Sequence, residues 1–139
     1  MARKHYILTA RAEADLREAR TWSLARWGKL LTRQYFEDLH NAAEYVAENH
    51  TARSDRRDLT GGTGLYVHSV REHYLVYEPL NRRSILLVAV IRQGRDMPAI
   101  LQKWVGSIRR ELADIRARID RGEIKVTGDR PSKKPKRRR

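Results

Sequence analysis

The residues with the clearest chemical potential follow the most apolar run of the chain. That run extends from Ile85 to Ile91, and the turn after it, RQGRDMPAIL, places Arg92, Arg95 and Asp96 close together. Neighbouring guanidinium groups can hold an acidic partner or stabilise charge on a phosphate. Asp96 is expected either to pair with Arg95 or to cap the helix that follows. The cluster predicts a functional site at the edge of the sheet where a buried strand ends.

Other residues in the same region would suit ribonuclease chemistry. RNA cleavage by a 2′-hydroxyl needs a group that removes a proton, positive charge on the phosphate and a group that protonates the leaving oxygen. Arg71, Arg92 and Arg95 could supply the charge, and His73 or Tyr77 could move protons. The alternatives are a solvated turn position for His73 and sheet packing for Tyr77. If the chain is a ribonuclease, its catalytic set is predicted to be Arg71, Arg92 and Tyr77.

Other chemistries have little support. The five histidines, at positions 5, 40, 50, 68 and 73, lack the spacing of metal ligands on a shared face, so neither a metal nor a cofactor is predicted. The chain has no cysteine and therefore no thiolate chemistry. The segment TGGTG at 60–64 lacks the Lys-Ser/Thr of a phosphate loop and is predicted to be a flexible connection.

Hydrophobic spacing predicts one strand, two helices and then three strands. Thr9 is a good N-cap, and Gly28 is a natural C-terminal stop for the first helix. Two helices joined by a few residues should pack as an antiparallel pair. The fold class is thus α+β, with an N-terminal strand and an antiparallel helix pair packed on a small antiparallel sheet. The predicted elements are a strand at 6–8, helices at 10–27 and about 35–49, and strands at 65–70, 73–78 and 84–91, the last of them central.

A long C-terminal helix is predicted to extend from Pro98 to near Gly122. Its apolar residues recur at heptad-like steps, at positions 101, 105, 108, 112, 115 and 119. This seam either packs on the chain's own sheet or joins a second protomer in a homodimer. Trp104 is expected in the core or, alternatively, on a recognition surface.

Much of the positive charge lies at the C-terminal end. The formal net charge is +13, and residues 129–139 contain seven Lys or Arg and one acid. This tail is either a solvated segment or a non-specific contact with nucleic acid through Lys133, Lys134, Lys136, Arg137, Arg138 and Arg139. The longest apolar run is far shorter than the ~20 residues that span a bilayer, so the chain is expected to be cytoplasmic and not membrane-bound. The predicted divisions are a domain at 1–101, a helical extension at 97–122 and a basic tail at 123–139.

Four segments in this order resemble the RelE/ParE toxin superfamily: YILTARAEADLREARTWSLARWG, YFEDLHNAAEYVAENH, GLYVHSVREHYLVYEPL and ILLVAVIRQGRDMPAIL. The resemblance covers about residues 6–101, and RDMPAIL is more similar to the ParE branch than to the ribonuclease branch. It implies a prokaryotic type II toxin–antitoxin module with a plasmid-stabilisation role. A ParE-like toxin would inhibit DNA gyrase by binding it and would be neutralised by a cognate, ParD-like antitoxin.

The resemblance leaves the target and the contacts open. A RelE-like member would instead cleave mRNA on the ribosome, and a third alternative is a non-toxic basic binding or scaffold protein. The ParE-like interpretation is not enzymatic. Contacts with the target or the antitoxin are predicted at Arg71, Arg92, Arg95, Asp96 and Trp104. The helix beyond residue 101 departs from the usual length of the family and could cover a partner surface.

Overall fold

A four-stranded sheet with helices on both faces forms the body of the chain. The computed structural model describes residues 5–52 and 60–126. The strands are β1 (Tyr6–Leu8), β2 (Tyr66–Val70), β3 (His73–Asn81) and β4 (Ser84–Arg92), in the spatial order β1-β4-β3-β2. The helices are α1 (Ala10–Asn49), followed by a single 3₁₀ turn (His50–Ala52), and α2 (Met97–Asp120).

The predicted α+β class is confirmed, and so is the central position of β4. The sheet is mixed rather than wholly antiparallel, because β1 pairs parallel to β4 while β2, β3 and β4 are antiparallel. The predicted strand at 73–78 ends too early, since β3 continues through Pro79 to Asn81. Strand β2 pairs with β3 only as far as Tyr77, so Pro79 lies where β3 has no neighbour on that side. A missing N–H is tolerated at such an edge.

Helix α1 is a helical hairpin with two arms, at residues 10–27 and 29–49. The break is at Gly28, whose φ of 83° and ψ of −178° are outside the helical region and favour glycine. At the N-terminus, the Thr9 hydroxyl accepts a hydrogen bond from the Ala12 N–H at 3.0 Å. The predictions for Thr9 and Gly28 are therefore confirmed.

Strand β4 contributes side chains to two cores, and a bulge at Val88 interrupts its register with β3. Val76 and Tyr77 of β3 face Ala89 and Leu87, so Val88 has no partner in the register. The Thr9 hydroxyl donates to the Val88 carbonyl at 2.8 Å, which fixes the bulge against the start of α1. One core joins the helix hairpin to the sheet, and its largest buried members are Tyr35, Leu39, Val46, Leu75, Tyr77, Ile85 and Leu87.

The second core joins α2 to the opposite face of the sheet. Leu101, Ile108, Leu112 and Ile115 of α2 are buried in the same cluster as the outward side chains of the sheet. The heptad-like seam therefore packs within the chain. Glu78 on β3 reinforces this contact, because it accepts hydrogen bonds from two arginines of α2.

Glu78 forms ion pairs with two arginines of α2. Its carboxylate oxygens lie 2.6 Å from Arg109 Nη1 and 2.9 Å from Arg116 Nη2. Burial alone would raise the pKa of Glu78, but the hydrogen bonds and charges of these two arginines outweigh it and lower the pKa. The clamp holds the C-terminal half of α2 on β3, so α2 is part of the folded body.

The loop before β2 contacts α2. Thr60 is buried, and the Gln102 side-chain amide donates to the Gly61 carbonyl. Gly61 has a φ of 67°, and a Cβ there would lie 3.0 Å from Gln102 and 3.1 Å from the Pro98 carbonyl. Within the predicted connection at 60–64, Thr60 and Thr63 are buried and Gly61 contacts α2, whereas Gly62 is exposed. The flexibility of this segment stays a prediction.

Of the predicted basic tail at 123–139, residues 123–126 are described, and Ile124 and Val126 pack against the second core. Residues 127–139, which include the six predicted nucleic-acid contacts, lie outside the described residues. Within the described ranges, no helix is both long and apolar enough to cross a membrane.

Candidate binding site at the end of the central strand

A rigid turn after β4 presents Arg92 and Arg95 to solvent. The Gln93 N–H donates to the Glu72 carbonyl at 2.8 Å, and the Gln93 side-chain amide donates to the carbonyls of Arg71 (3.0 Å) and His73 (3.3 Å). These bonds join the end of β4 to the turn between β2 and β3. The two exposed guanidinium groups therefore extend from a fixed backbone.

Asp96 ends this turn by capping α2. Its carboxylate accepts a hydrogen bond from the Ala99 N–H at 3.2 Å, and Pro98 lies in the first turn of the helix. The capping alternative for Asp96 is thus confirmed. Its role in the site is to fix the end of the arginine turn.

Trp22, on the first arm of α1, is the aromatic centre of the site. The Arg92 guanidinium lies 5.4 Å from its ring centroid, and that of Arg26 lies 4.9 Å away. The ring also makes edge contacts with Trp27 at 5.2 Å and His73 at 5.6 Å. A guanidinium within about 6 Å of an indole face is attracted by the ring quadrupole. Trp22 therefore positions Arg92 beside the helix hairpin.

His73 is buried, which corrects the prediction of a solvated turn residue. It is 3% exposed, because the Tyr35 ring from the second arm of α1 covers it at 5.5 Å. The Tyr35 hydroxyl accepts a hydrogen bond from the Glu72 N–H at 3.1 Å and forms a second hydrogen bond with His73 Nδ1. Burial lowers the pKa of His73, and the charge of Arg92 lowers it further. His73 is therefore a neutral packing residue that supports Trp22.

Arg71 lies on the far side of this aromatic group and is already paired. Its guanidinium lies 5.2 Å from the Tyr35 ring centroid and 3.3 Å from the Asp38 carboxylate. Its backbone has a positive φ of 55°, as the tight turn requires. Arg71 and Arg92 are thus joined through Tyr35, His73 and Trp22 rather than by facing a common point.

Tyr77 does not join the arginines. It is 1% exposed in the core under the helix hairpin, and its ring stacks on Tyr66 at 5.5 Å. Sheet packing, the alternative for Tyr77, is confirmed. The predicted ribonuclease set of Arg71, Arg92 and Tyr77 is therefore not assembled around one point.

A cleft opens between the first arm of α1 and the arginine turn. Its volume is about 540 Å³. We call it the Trp22 cleft, and its charged and aromatic lining consists of Arg11, Asp15, Glu18, Trp22, His73, Arg92 and Arg95. The four α1 residues follow steps of four, three and four, so they form one stripe beside the apolar one. That spacing is the signal by which the sequence could have revealed them.

Asp15 is the internal anchor of this cleft. Its carboxylate accepts a hydrogen bond from the Val90 N–H at 3.0 Å, which satisfies a backbone donor beyond the end of β1. Burial raises the pKa of Asp15, although this hydrogen bond and the charges of Arg11 and Arg95 act in the opposite direction. Arg11 Nε lies 3.8 Å from the same carboxylate. Asp15 thus stabilises the fold and also contributes a carboxylate to the lining of the cleft.

Trp104 is exposed, so its expected place in the core is wrong. The residue is 40% exposed, and the guanidinium of Arg11 lies 5.0 Å from its ring centroid. It immediately precedes Val105 on α2, and so it lies at the flank of the buried stripe. Trp104 therefore extends the cationic and aromatic surface beyond Arg11. No group of three potential metal ligands occurs within residues 5–52 and 60–126.

These features define a small α+β protein with a helical hairpin on one sheet face, a long helix on the other, and an arginine- and indole-lined cleft at the end of the central strand. Residues 6–97 match the family described as the ParE toxin of type II toxin–antitoxin system, parDE. The chain belongs to the ParE toxin family. Toxin ParE of Escherichia coli is 29% identical over 92 residues, which cover 66% of this chain and 87% of that protein. The match ends at Met97, where α2 begins.

Proposed function

We propose that this chain is a toxin that acts by binding and inhibits DNA gyrase, a type II topoisomerase. The observation that carries the proposal is the match to the ParE toxin family over residues 6–97. Membership of a type II system implies an antitoxin partner, and we propose that a cognate, ParD-like antitoxin neutralises the chain. Gyrase and ribosomes are both cytoplasmic, so that compartment is proposed as well.

The arrangement of the predicted catalytic residues supports binding over RNA cleavage. Tyr77 is buried, and burial together with the charge of Arg92 lowers the pKa of His73 and favours its neutral form. A general acid or base must reach the proton that it transfers. Arg92 and Arg95 are exposed and suited to contact another macromolecule. A homodimer through the outer surface of α2 remains a prediction, since the seam itself is buried in the chain.

The test is a pair of reactions with the purified chain. In the first, gyrase supercoils relaxed plasmid with ATP, and inhibition of supercoiling is expected as the chain is added. In the second, a translating extract supplies ribosomes and mRNA, and no cleavage at defined mRNA positions is expected. Induced expression in a bacterial host should produce growth arrest together with a DNA-damage response.

A matched control separates gyrase inhibition from coating of DNA by the basic tail. The tail variant replaces six residues with glutamine: Lys133, Lys134, Lys136, Arg137, Arg138 and Arg139. Gyrase inhibition should persist in this variant, since the proposed contact lies in the folded body. Loss of inhibition in the variant, or mRNA cleavage without any effect on supercoiling, would contradict the proposal.

A further inference from the structure

We propose that the Trp22 cleft binds an acidic segment of a partner polypeptide, with one carboxylate seated between Arg92 and Arg95. The proposal deepens the proposed function, and rests on it for the partner's role, because a toxin that acts by binding needs such a contact. The site combines residues from three elements: α1 supplies Trp22, β4 supplies Arg92, and the turn before α2 supplies Arg95.

The first argument is that neither of these two guanidinium groups forms an ion pair within the described residues, although the charge of Arg95 acts on Asp15 across the cleft. Arg71, Arg83, Arg109 and Arg116 each lie within 3.3 Å of a carboxylate. Within the described part of the chain, neither Arg92 nor Arg95 has a carboxylate within 4.0 Å, and the contact of Arg92 is with the Trp22 ring. A carboxylate accepts two parallel hydrogen bonds from a guanidinium, and such charge-assisted bonds are the stronger ones.

The second argument is the mixed charge of the cleft, which favours a polypeptide over a nucleic acid. Asp15 and Glu18 lie in the same lining as the arginines. A nucleic-acid backbone carries a negative charge at every step, and it would bring phosphates against these carboxylates. A polypeptide can place one carboxylate at Arg92 and Arg95 and a backbone N–H or a neutral side chain near Glu18. Like charges facing each other across an interface are costly, so the mixed charges of the cleft favour a polypeptide partner.

The third argument is that the cleft is already organised. Gln93 fixes the turn through three hydrogen bonds, and Asp96 caps the helix that follows. Trp22 is held edge-on by Trp27 and His73. A site that needs no reordering loses less entropy when its ligand binds. Ile100, partly buried at the rim, offers an apolar neighbour for a residue next to the bound carboxylate.

The experiment follows the indole N–H signals of the full-length chain by ¹H–¹⁵N NMR at physiological salt. The probe is a short synthetic peptide of glutamate, leucine and alanine, and a single-stranded oligonucleotide and inorganic phosphate are titrated in parallel. Trp22→Phe identifies the signal of Trp22. We expect the peptide to shift this signal saturably and at lower concentration than either the oligonucleotide or phosphate.

Two double variants with equal charge provide the comparison. R92Q/R95Q should weaken peptide binding about tenfold or more, since it removes both proposed carboxylate contacts. R82Q/R110Q removes two exposed arginines away from the cleft and should change the affinity less than about twofold. The basic tail is common to all variants, so its contribution cancels in the comparison.

Equal losses in the two double variants would overturn the proposal and leave only general charge attraction. A Trp22 shift that saturates first with the oligonucleotide would assign the cleft to nucleic acid instead, and one that saturates first with phosphate would assign it to a small anion. If R92Q/R95Q loses peptide binding but still inhibits gyrase, the cleft binds an acidic polypeptide as proposed, and that polypeptide is not gyrase. Peptide binding retained in a chain that neither inhibits gyrase nor arrests growth would instead refute the proposed function alone.

Discussion

Replacing Leu112 with alanine should lower the free energy of unfolding by about 3 kcal/mol. Leu112 is 2% exposed on α2 and belongs to the cluster that joins this helix to the sheet. A leucine truncated in a core costs about 2–5 kcal/mol, and the cost is smaller where neighbours can close the cavity. Helix α2 covers the sheet from one side only, so the neighbours of Leu112 should partly close the cavity. We therefore expect a cost near the middle of this range.

The assay is urea unfolding followed by circular dichroism, with Leu30→Ala as the matched control. Leu30 is 75% exposed near the tip of the helix hairpin, so the same chemical change should cost less than about 0.5 kcal/mol there. At roughly 4 °C per kcal/mol for a chain of this size, Leu112→Ala should lower the Tm by about 12 °C. The dependence of the unfolding free energy on urea should stay the same, since the surface exposed on unfolding hardly changes.

A loss under about 1 kcal/mol for Leu112→Ala, similar to that of Leu30→Ala, would refute the packing of α2 on the sheet. The concentration dependence gives an independent check. If the seam of α2 were held by a second protomer, the Tm would rise with protein concentration. We expect a Tm that is independent of concentration, because the seam is buried within one chain.

Three further predictions use the same unfolding assay. Tyr35→Phe removes the hydroxyl that is hydrogen-bonded to His73 Nδ1 and accepts from the Glu72 N–H, so we expect a loss of about 1–3 kcal/mol; a loss below about 0.5 kcal/mol would argue against that pair of bonds. The pKa of folded His73 is below its ordinary value of 6.5, so the unfolded chain takes up that proton first and stability should fall as the pH drops below 6.5. His73→Gln should remove this part of the slope, and an unchanged slope would contradict it. The pKa of folded Glu78 is below 4.5, so its stabilisation is present above that pH and is lost on further acidification. Glu78→Gln should reduce this acid-side slope and cost about 1–2 kcal/mol at neutral pH, whereas an unchanged profile would exclude the clamp.

Local rules predicted the ends of the elements well. Thr9 and Asp96 each satisfy an amide in the first turn of a helix, and Gly28 adopts a backbone conformation that other residues avoid. Each of these properties depends on a few neighbouring residues and can be read from the sequence. The apolar run of β4 likewise predicted the central strand of the sheet.

Contacts between distant segments could not be predicted from neighbouring residues alone. His73 is next to a turn, and that position predicts exposure, but Tyr35 lies 38 residues away and covers it. The parallel pairing of β1 with β4 and the bulge at Val88 also depend on chain crossing rather than on local composition. Trp104 is the exception, because it was predicted in the core although it immediately precedes Val105 of the apolar stripe and therefore lies at the flank of α2. The α1 residues that line the cleft were not predicted, because they form a mostly polar stripe and helices were predicted from the spacing of apolar residues.

The position of α2 restricts how a partner can approach the sheet. The helix hairpin covers one face, and α2 buries Leu101, Ile108, Leu112 and Ile115 against the other. A partner segment that replaced α2 would first have to expose these four side chains. At about 1.5–3 kcal/mol each, that step costs about 6–12 kcal/mol before any new contact forms. The Trp22 cleft is open at the end of β4 and needs no displacement, so an incoming acidic segment should engage there first.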